Sequence, residues 1–410
     1  MKNLSHQIAT IHNSPTLSLN DKARQLREKG ADVINLGIGE PLNDFPENAL
    51  VHAKEILDTR QIKYGPTGGI KPLKLAIQDY TKQHYGRSPD LSNITVNVGA
   101  KQALFNLLYV LLNPGDEVIL FTPYWVSYPE MVKLAHGKPV FVPTDERFVP
   151  EIETTLGAVT TNTKAIILNT PNNPTGAVYA TELIAALVDF CETKGIFLIM
   201  DDIYHQLIFD SAQWVPGYVF TSKPINKSYL IIINGISKTY GMTGFRIGWT
   251  IAPETIIDAM EKVQSHSTSG ASVLLQKAAL GAMLDGDQTF QELLTFIQGN
   301  RDIMIRELQK INGLELAKPA GTFYCFPDFR SFYLDSQELA SLLLEKAFVA
   351  TVPGSAFGQE GHLRLSYTCS TEQVIESTAR IRWAIDPDAA PEITIGGKNL
   401  ICDWERKRSA

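Results

Sequence analysis

The stretch Leu230–Trp249, "LIIINGISKTYGMTGFRIGW", begins as an apolar strand and continues into a turn that carries a lysine. Its first residues are large and mostly β-branched, which is typical of a strand covered on both faces. Lys238 follows that strand, although lysine is among the residues that are least often buried. Arg246 lies eight positions further on, between Gly244 and Gly248. This arrangement raises the question of whether the lysine at the strand end has a chemical role.

Short apolar strands and helices alternate through much of the 410-residue chain. The segments "TKAIILNTP" and "IFLIMDD" are predicted strands, whereas "KQALFNLLYVLLN" and "TELIAALVDFCETKG" are predicted helices. Such alternation indicates an α/β fold with a mostly parallel central sheet covered by helices. Ligands of these sheets bind beyond the carboxyl ends of the strands, where the polar turns of this chain are found.

Three regions are predicted from changes of pattern along the chain. Residues 45–289 are predicted to form a large domain that contains the parallel sheet. Residues 1–44 and 290–385 are predicted to form a smaller α+β domain with an N-terminal arm. The last residues, 386–410, have few helix or strand signals, and we expect an irregular C-terminal tail.

Composition restricts the classes of partner and location. The chain has 37 basic and 44 acidic residues, and its formal net charge of -7 argues against a nucleic-acid or anionic-membrane partner. Its apolar runs are too short to span a bilayer, and its N-terminus lacks the apolar stretch of a secretory signal. The four cysteines and eight histidines are scattered without metal-ligand spacing. We therefore expect a cytoplasmic protein without a metal site.

Lys238 is the first candidate for catalysis. An ordinary lysine amine is protonated at neutral pH and is a weak nucleophile. Burial at a strand end beside Arg246 disfavours the charged form, so that the amine becomes able to form an imine with a carbonyl. The "SK" pair alone favours a simpler interpretation, a surface lysine at a strand end. The choice between the two depends on the neighbouring motifs.

Two motifs could hold a phosphate group. Ser237 and Arg246 flank the lysine with a hydroxyl and a guanidinium. In "NVGAKQAL", a predicted strand turns at Gly99 into a helix that begins at Ala100 and Lys101. The free N–H groups and the positive end of that helix suit an anion. An ordinary strand–helix turn is the alternative interpretation of this second motif.

Other polar turns offer partners for a flat, basic ring. Asp201 and Tyr204, in "MDDIYH", follow a strand, and the carboxylate could bind a protonated ring nitrogen. Asn173 could donate its amide to a ligand oxygen, and Trp125 could stack on a ring. Helix capping, turn formation and core packing are the structural alternatives for these residues. Taken with Lys238, the set matches one ligand, pyridoxal 5′-phosphate.

The motifs also occur in the order of one enzyme family. Between about Ser14 and Arg382 the chain contains "LGIGEP", "YGPTGG", "GAKQALFNL", "NTPNNPTG", "SKTYGMTGFRIGW", "PAGTFYCFP" and "LRLSY". It resembles the fold-type I, class I aminotransferases, and most closely the bacterial aspartate aminotransferase subgroup. The resemblance implies the fold of a fold-type I pyridoxal-phosphate-dependent transferase. It also implies transfer of an amino group from an amino acid, above all aspartate, to a 2-oxo acid such as 2-oxoglutarate.

The same resemblance implies roles for individual residues. Lys238 would link to the cofactor and act in catalysis. The cofactor-binding set would be Lys238, Gly99, Ala100, Lys101, Trp125, Asn173, Asp201, Tyr204, Ser237, Arg246 and, from a neighbouring subunit, Tyr64. The substrate-binding set would be Gly39, Arg364, Lys101, Thr16, Trp125 and Asn173. Since Tyr64 would reach the phosphate of its neighbour, the resemblance implies a homodimer with shared active sites.

Substrate class is the least determined part of this interpretation. Lys101 and Thr16 match the positions that recognise the side-chain carboxylate of aspartate in the resembling subgroup. The segment "GIGEPLNDFPEN" differs from the commoner "AGEPDFDTP" pattern near the substrate entrance. Aromatic, alanine or kynurenine-type substrates therefore stay open, as does a pyridoxal-phosphate-dependent carbon–sulfur lyase. Two other classes are disfavoured. A transcription regulator would need an appended DNA-binding domain, and the acidic balance of the chain argues against one. A nicotinamide dehydrogenase would need a G-x-G-x-x-G turn after a strand, and no predicted strand of this chain is followed by one.

Overall fold

The computed structural model describes residues 5–395 and 397–406. The helices are α1 (Pro15–Glu28), α2 (Glu47–Asp58), α3 (Lys71–Tyr85), α4 (Gly99–Leu111), α5 (Ser127–Leu134), α6 (Ile152–Gly157), α7 (Thr181–Lys194), α8 (Ile236–Thr239), α9 (Glu254–Ser267), α10 (Val273–Asp285), α11 (Asp287–Leu308), α12 (Ser336–Lys346) and α13 (Thr371–Ile385). The strands are β1 (Ile34–Asn35), β2 (Ile94–Asn97), β3 (Glu117–Thr122), β4 (Lys138–Pro143), β5 (Thr163–Leu168), β6 (Phe197–Asp201), β7 (Leu230–Gly235), β8 (Gly248–Ile251), β9 (Tyr324–Cys325), β10 (Val349–Ala350), β11 (Val352–Pro353), β12 (Leu363–Ser366), β13 (Glu392–Ile395) and β14 (Lys398–Ile401). Among the described residues, no helix combines the length and the apolar character needed to cross a membrane.

Seven strands form the central sheet, in the order β2-β8-β7-β6-β5-β3-β4. Strand β8 is antiparallel to both neighbours, and the remaining adjacent pairs are parallel. Alternate residues of β7 pack into two separate cores, with Ile232 in one and Ile231 and Ile233 in the other. A strand that is buried on both faces must be apolar along its length, which explains the run that the sequence shows. The predicted mostly parallel α/β sheet is confirmed.

The carboxyl ends of β6 and β7 place two candidate residues side by side. Strand β6 ends at Asp201, which is in parallel register with Ile233 of β7. Strand β7 ends at Gly235, and the single turn of helix α8 that follows carries Lys238. The lysine is therefore held beside the end of the sheet by a short, well-defined connection. This geometry is the reason that a buried strand can be followed directly by a lysine.

Smaller sheets are built from the two ends of the chain. Strands β11, β12 and β9 form one sheet, and β1 pairs in parallel with β10. Helix α1 contributes Leu19 and Ala23 to a core shared with Phe326, Leu344 and Val352. The N-terminal residues thus pack with the C-terminal part of the chain. This packing agrees with a smaller α+β domain, whose exact limits at 1–44 and 290–385 stay a prediction.

Within the predicted tail, 386–410, strands β13 and β14 form a β-hairpin rather than irregular structure. It lies on α13, where the Trp383 Nε1 donates to the Ala390 carbonyl at 3.0 Å and the Trp383 ring meets the Trp404 ring edge-to-face at 5.2 Å. Lys346, at the end of α12, pairs with Asp403 at 2.7 Å. The expectation of irregular structure was wrong here, because two alternating segments pair with each other and pack, through Leu400, on the core that includes Trp383.

Candidate active site

A cavity of about 370 Å³ lies at the carboxyl ends of β6 and β7. The sequence-predicted residues that line it are Thr16, Gly39, Ala100, Lys101, Trp125, Asn173, Asp201, Tyr204, Ser237, Lys238, Arg246 and Arg364. Two predicted residues do not line it, namely Gly99, which packs against the Arg246 guanidinium, and Tyr64. The fold therefore gathers nearly all the candidate side chains into one space.

Lys238 is partly buried in this cavity. Its Nζ donates a hydrogen bond to the Gly39 carbonyl at 2.5 Å. Burial, together with the neighbouring cations Arg364 and Arg246, lowers the pKa of the amine to about 8, although the charge of Glu40 opposes this shift. An amine with this pKa is about one-tenth neutral at pH 7, far more than an ordinary lysine, and a nucleophile or a general base requires the neutral form.

Asp201 is a buried carboxylate with one free oxygen. Its Oδ2 accepts a hydrogen bond from the Tyr128 hydroxyl at 2.6 Å. Its Oδ1 is buried and makes no hydrogen bond of good geometry among the described residues. Burial raises the pKa of Asp201 to about 6, opposed by the Tyr128 hydroxyl, the Ile203 N–H and the charge of Lys238. An unpaired buried oxygen is costly, so it indicates the place of a donor that a ligand would bring.

Arg364 lies in the same cavity and is held in a fixed plane. Its Nη1 donates to the Asn173 Oδ1 at 3.0 Å, and its Nη2 donates to the Gly37 carbonyl at 3.0 Å. The guanidinium carbon lies 4.2 Å from the centroid of the Tyr324 ring and 5.2 Å from that of Phe357. The side chain is only 2% exposed, and its Nε has no partner among the described residues. A preset, partly unpaired guanidinium is suited to bind a carboxylate.

Asn173 connects this guanidinium to the phenol of Tyr204. The Asn173 Nδ2 donates to the Tyr204 hydroxyl at 3.3 Å, while the Asn169 Oδ1 accepts from the Asn173 backbone N–H at 2.9 Å. The Tyr204 hydroxyl also lies 3.4 Å from that of Tyr324. These contacts fix two polar groups on the wall of the cavity where the sequence predicted partners for a ligand oxygen.

A second group of residues could hold an anion. Helix α4 begins at Gly99, where φ is +81° and an added Cβ would lie 2.7 Å from the Arg246 Nη2. Only glycine allows the guanidinium to approach the helix end so closely. The backbone of Arg246 adopts the left-handed conformation, with φ +55°. Its side-chain Nη1 donates to the Thr243 carbonyl at 3.0 Å. With Ser237 nearby on the cavity wall, this helix end fits a phosphate.

Lys101 and Trp125 lie at the mouth of the cavity. The Lys101 Nζ is 5.0 Å from the centroid of the Trp125 ring. Desolvation of the amine and the neighbouring Arg246 both lower the pKa of Lys101, although the side chain as a whole keeps solvent contact. Thr16 and Leu17, at the start of α1, complete the mouth.

Sequence reasoning missed two aromatic residues of the cavity, Tyr128 and Tyr324. Tyr128 follows Trp125 by three positions in "WVSY", and this spacing could have placed the two rings on one helical face. Tyr324 lies in "GTFYCFP", a motif that supported the family resemblance without a role for any one residue. Both hydroxyls contact predicted residues, and such long-range contacts leave no local signal.

The polar groups fit the cofactor that the sequence predicted. The free oxygen of Asp201 suits a protonated ring nitrogen, and the Asn173 and Tyr204 pair suits a ring hydroxyl. The start of α4 with Arg246 suits a phosphate, and the partly neutral Lys238 amine suits a carbonyl.

Comparisons with known proteins agree with this geometry. A family model described as aminotransferase class I and II matches residues 31–381. The probable aspartate/prephenate aminotransferase of Aquifex aeolicus is 39% identical over 393 residues, which are 94% of this chain and 99% of that protein. The aspartate aminotransferase of Geobacillus stearothermophilus is 39% identical over 385 residues, which are 92% of this chain and 98% of that protein.

Solved structures are similar over the same range. The structure of aspartate aminotransferase from Thermus thermophilus with maleate has a TM-score of 0.89 and is 37% identical, covering 94% of this chain and 100% of that chain. The predicted fold-type I transferase fold is confirmed by this similarity. The chain therefore belongs to the class I and II aminotransferases and is a transaminase of a family that implies pyridoxal 5′-phosphate as cofactor.

Proposed function

We propose that this transaminase moves the amino group of aspartate to a 2-oxo acid such as 2-oxoglutarate. The observation that carries the proposal is the meeting of Lys238, Asp201 and Arg364 in one cavity with Lys101 at its mouth. The relatives that are named aspartate aminotransferases support the same substrate.

Four residues would hold the cofactor and perform the chemistry. Pyridoxal 5′-phosphate, when bound, supplies a sink for the electrons left when a bond to the substrate Cα breaks. Asp201 would hold a proton at the ring nitrogen, because its carboxylate is negatively charged above about pH 6 and would attract the positive nitrogen to its unpaired, buried oxygen. Ser237 and Arg246, with the start of α4, would hold the phosphate. Lys238 would attach the cofactor carbonyl and act as the general base at the substrate Cα.

Arg364 would bind the α-carboxylate of the substrate. Its plane is fixed by Asn173, Gly37 and Tyr324 before any substrate arrives. A guanidinium that binds a carboxylate with two hydrogen bonds restricts rotation of the substrate. Restricted rotation keeps the Cα–H bond of the substrate facing Lys238, so that removal of this proton is favoured over decarboxylation.

Aspartate specificity rests on two residues at the cavity mouth. A second carboxylate would meet the Lys101 amine and the Thr16 hydroxyl, which both line the mouth. The positive end of α4 adds attraction for the same negative group. Alanine lacks that carboxylate, and aromatic substrates would place a ring there, beside Trp125 and Leu17. The charge at the mouth therefore favours the dicarboxylic substrate.

Lys101→Ala tests this specificity. We expect kcat/KM for aspartate, measured with 2-oxoglutarate, to fall roughly tenfold, because one charged hydrogen bond to the substrate is lost. The value for alanine should change less than about twofold, since alanine has no group that reaches Lys101. Lys262→Ala, on the exposed surface of α9, is the matched control. An unchanged value for aspartate in Lys101→Ala would exclude the acidic specificity proposed here.

We further propose a homodimer with shared active sites, in the cytoplasm. Tyr64 is 94% exposed and lies outside the cavity of its own chain, which supports a role at a neighbouring subunit. The four cysteines are free thiols, as expected in a reducing compartment. Light scattering on the active enzyme tests the dimer, and a fully active monomer would exclude the role of Tyr64.

A further inference from the structure

Two neighbouring loops form an exposed lip on the large sheet domain. We define the lip as residues 62–65 and 268–273, which line one surface groove together. The lip carries Tyr64, whose ring is almost wholly exposed in this chain. Loops with such exposed tips need support from below if they are to present a side chain in a defined position.

Gln264, in α9, lies beneath the lip and is fully buried. Its side-chain Nε2 donates to the Thr67 carbonyl at 2.6 Å and to the Val96 carbonyl at 2.8 Å. Its Oε1 accepts from the Asn97 Nδ2 at 2.7 Å and from the Asn106 Nδ2 at 3.3 Å. One amide thus joins the loop that follows Tyr64 to the edge strand β2 and to helix α4.

The main chain of Gln264 supports the other half of the lip. Its carbonyl accepts from the Thr268 N–H at 3.1 Å and from the Ser269 N–H at 2.9 Å. Gly270 then packs on Thr67, where an added Cβ would lie 3.0 Å from the Thr67 carbonyl oxygen. Gln264 therefore holds the second loop of the lip directly, and it holds the first loop through Thr67, two positions after that loop ends.

A second buried amide, Gln276 in α10, repeats this connection. Its Oε1 accepts from the Ile70 N–H at 2.8 Å, and its Nε2 donates to the Ala271 carbonyl at 2.8 Å. The side chain is fully buried. Since every side-chain polar atom of Gln264 and Gln276 is paired, their function is to hold backbone in place rather than to bind a ligand.

Gln102 extends the network to the start of α4. Its Nε2 donates to the Thr268 Oγ1 at 2.9 Å, and its Oε1 accepts from the Val98 N–H at 2.6 Å. Val98 immediately precedes the helix end that would hold the phosphate in this chain's own cavity. The support of the lip and the phosphate site are consequently parts of one hydrogen-bonded unit.

We propose that Gln264 is a positioning residue for the active site of the other subunit. It holds the lip so that Tyr64 reaches the cofactor phosphate of the partner, and its effect is therefore exerted in trans. Gln276 contributes to the same support. The inference rests on the proposed dimer and cofactor. It identifies Gln264 and Gln276 as the buried residues of one subunit that control cofactor retention in the other.

Hybrid dimers test this inference, because they separate action within a subunit from action between subunits. Chains with two different affinity tags are co-expressed, and the mixed dimer is purified. One chain carries Lys238→Ala, so that only the other chain can link the cofactor. Gln264→Met, which nearly preserves side-chain volume, is then placed either in the Lys238→Ala chain or in the chain that keeps Lys238.

Cofactor retention is the measured quantity. The loaded hybrids are dialysed against cofactor-free buffer, samples are reduced with borohydride at intervals, and intact mass reports the fraction of Lys238 chains that still carry cofactor. We expect Gln264→Met in the Lys238→Ala chain to speed cofactor loss roughly tenfold, as for one lost hydrogen bond to a charged group. Gln264→Met in the Lys238 chain should speed the loss by less than about twofold, because within its own chain Gln264 reaches the phosphate site only indirectly, through Asn106 and through Thr268 and Gln102.

The opposite pattern, or equal acceleration in both hybrids, would overturn the inference. Gln276→Met is tested in the same two arrangements, and if Gln264→Met does not fold, the pattern of Gln276→Met decides. Asn300→Leu is the matched control, because Asn300 is an equally buried amide whose Nδ2 bonds the Tyr367 and Cys369 carbonyls, far from the lip in sequence. Asn300→Leu should lower the melting temperature of the hybrid. It should have the same effect on cofactor loss whether it is placed in the Lys238→Ala chain or in the Lys238 chain. Failure of the hybrid with Lys238→Ala alone to link cofactor would instead refute the proposed cofactor chemistry, and the inference with it.

Discussion

The floor of the cavity, which we define by Asp201, Lys238 and Arg364, contains buried polar side chains, and so does the support of the lip. The two regions use these side chains in opposite ways. On the floor, Asp201 and Arg364 each keep a buried atom without a partner. Beneath the lip, Gln264 and Gln276 have every side-chain polar atom paired. Unpaired buried groups reduce the stability of the protein and are retained where a ligand completes them. Fully paired groups hold neighbouring backbone segments in place.

The largest effect in this comparison should come from Lys238. Lys238→Ala removes both the attachment point and the general base, and we expect kcat to fall by about 10⁴-fold or more. Steady-state assays with aspartate and 2-oxoglutarate measure the loss, and the circular dichroism spectrum should remain that of the wild type. Activity within tenfold of wild type would mean that the chemistry of the floor is assigned to the wrong residue.

Arg364→Lys should give the next largest effect. A lysine keeps the charge but loses the planar pair of donors, and we expect kcat/KM to fall by about 10²-fold. The loss should be similar for aspartate, alanine and phenylalanine, because all three carry the α-carboxylate. This uniformity distinguishes the floor from the mouth, where Lys101→Ala affects aspartate alone. A loss restricted to one substrate would contradict the role of Arg364.

Asp201→Asn should stabilise the protein in the absence of cofactor. Because burial raises the pKa of Asp201 from 3.8 to about 6, the folded state binds this proton more tightly than the unfolded chain does. The stability due to the proton is complete below pH 3.8 and is lost as the pH rises through about 6. Asparagine does not ionise, so above pH 7 the variant should unfold with a free energy larger by about 3 kcal/mol.

Urea unfolding of the cofactor-free proteins between pH 4 and pH 8 measures this difference. The two proteins should be of nearly equal stability at pH 4, and the gap should open between pH 4 and pH 7. Wild type that is more stable than the variant at pH 8 would show that the buried carboxylate is satisfied without a ligand. The comparison between floor and lip would then lose its basis.

The smallest effect, and one of opposite sign, should come from the lip. Gln264→Met leaves the Thr67 and Val96 carbonyls without their donor, and we expect the unfolding free energy of the cofactor-free protein to fall by about 2 kcal/mol. The loss should not depend on pH between 5 and 8, since no group of the amide network titrates there. Equal or higher stability of Gln264→Met would show that the paired amides are not what holds the lip.

Local motifs made much of the fold and cavity predictable from the sequence. Strand ends such as Asp201 and Gly235 are coded by short apolar runs, and the parallel sheet brings their turns together whatever lies between them. The glycine at the start of α4 is likewise a local requirement, because only its missing Cβ admits Arg246. Residues of this kind could be named before the structure was known.

Contacts between distant parts of the chain could not be predicted in this way. Tyr128 lies 73 positions from Asp201, and Gln264 lies 197 positions from Thr67. A tyrosine or glutamine within a helix gives no sign of its partner, because its position is equally compatible with a core or an exposed face. The C-terminal hairpin is different, because its alternating segments around a Gly-Gly dipeptide are a local signal typical of a hairpin.

The docking of that hairpin has a practical consequence for spectroscopy. Two of the five tryptophans, Trp383 and Trp404, contact each other beside α13, whereas Trp125 lines the cavity. Intrinsic fluorescence will therefore contain one signal quenched as the cavity fills and one altered as the C-terminal hairpin detaches, above the emission of Trp214 and Trp249. Trp125→Phe would remove the first signal and Trp404→Phe would weaken the second, so that the two can be told apart.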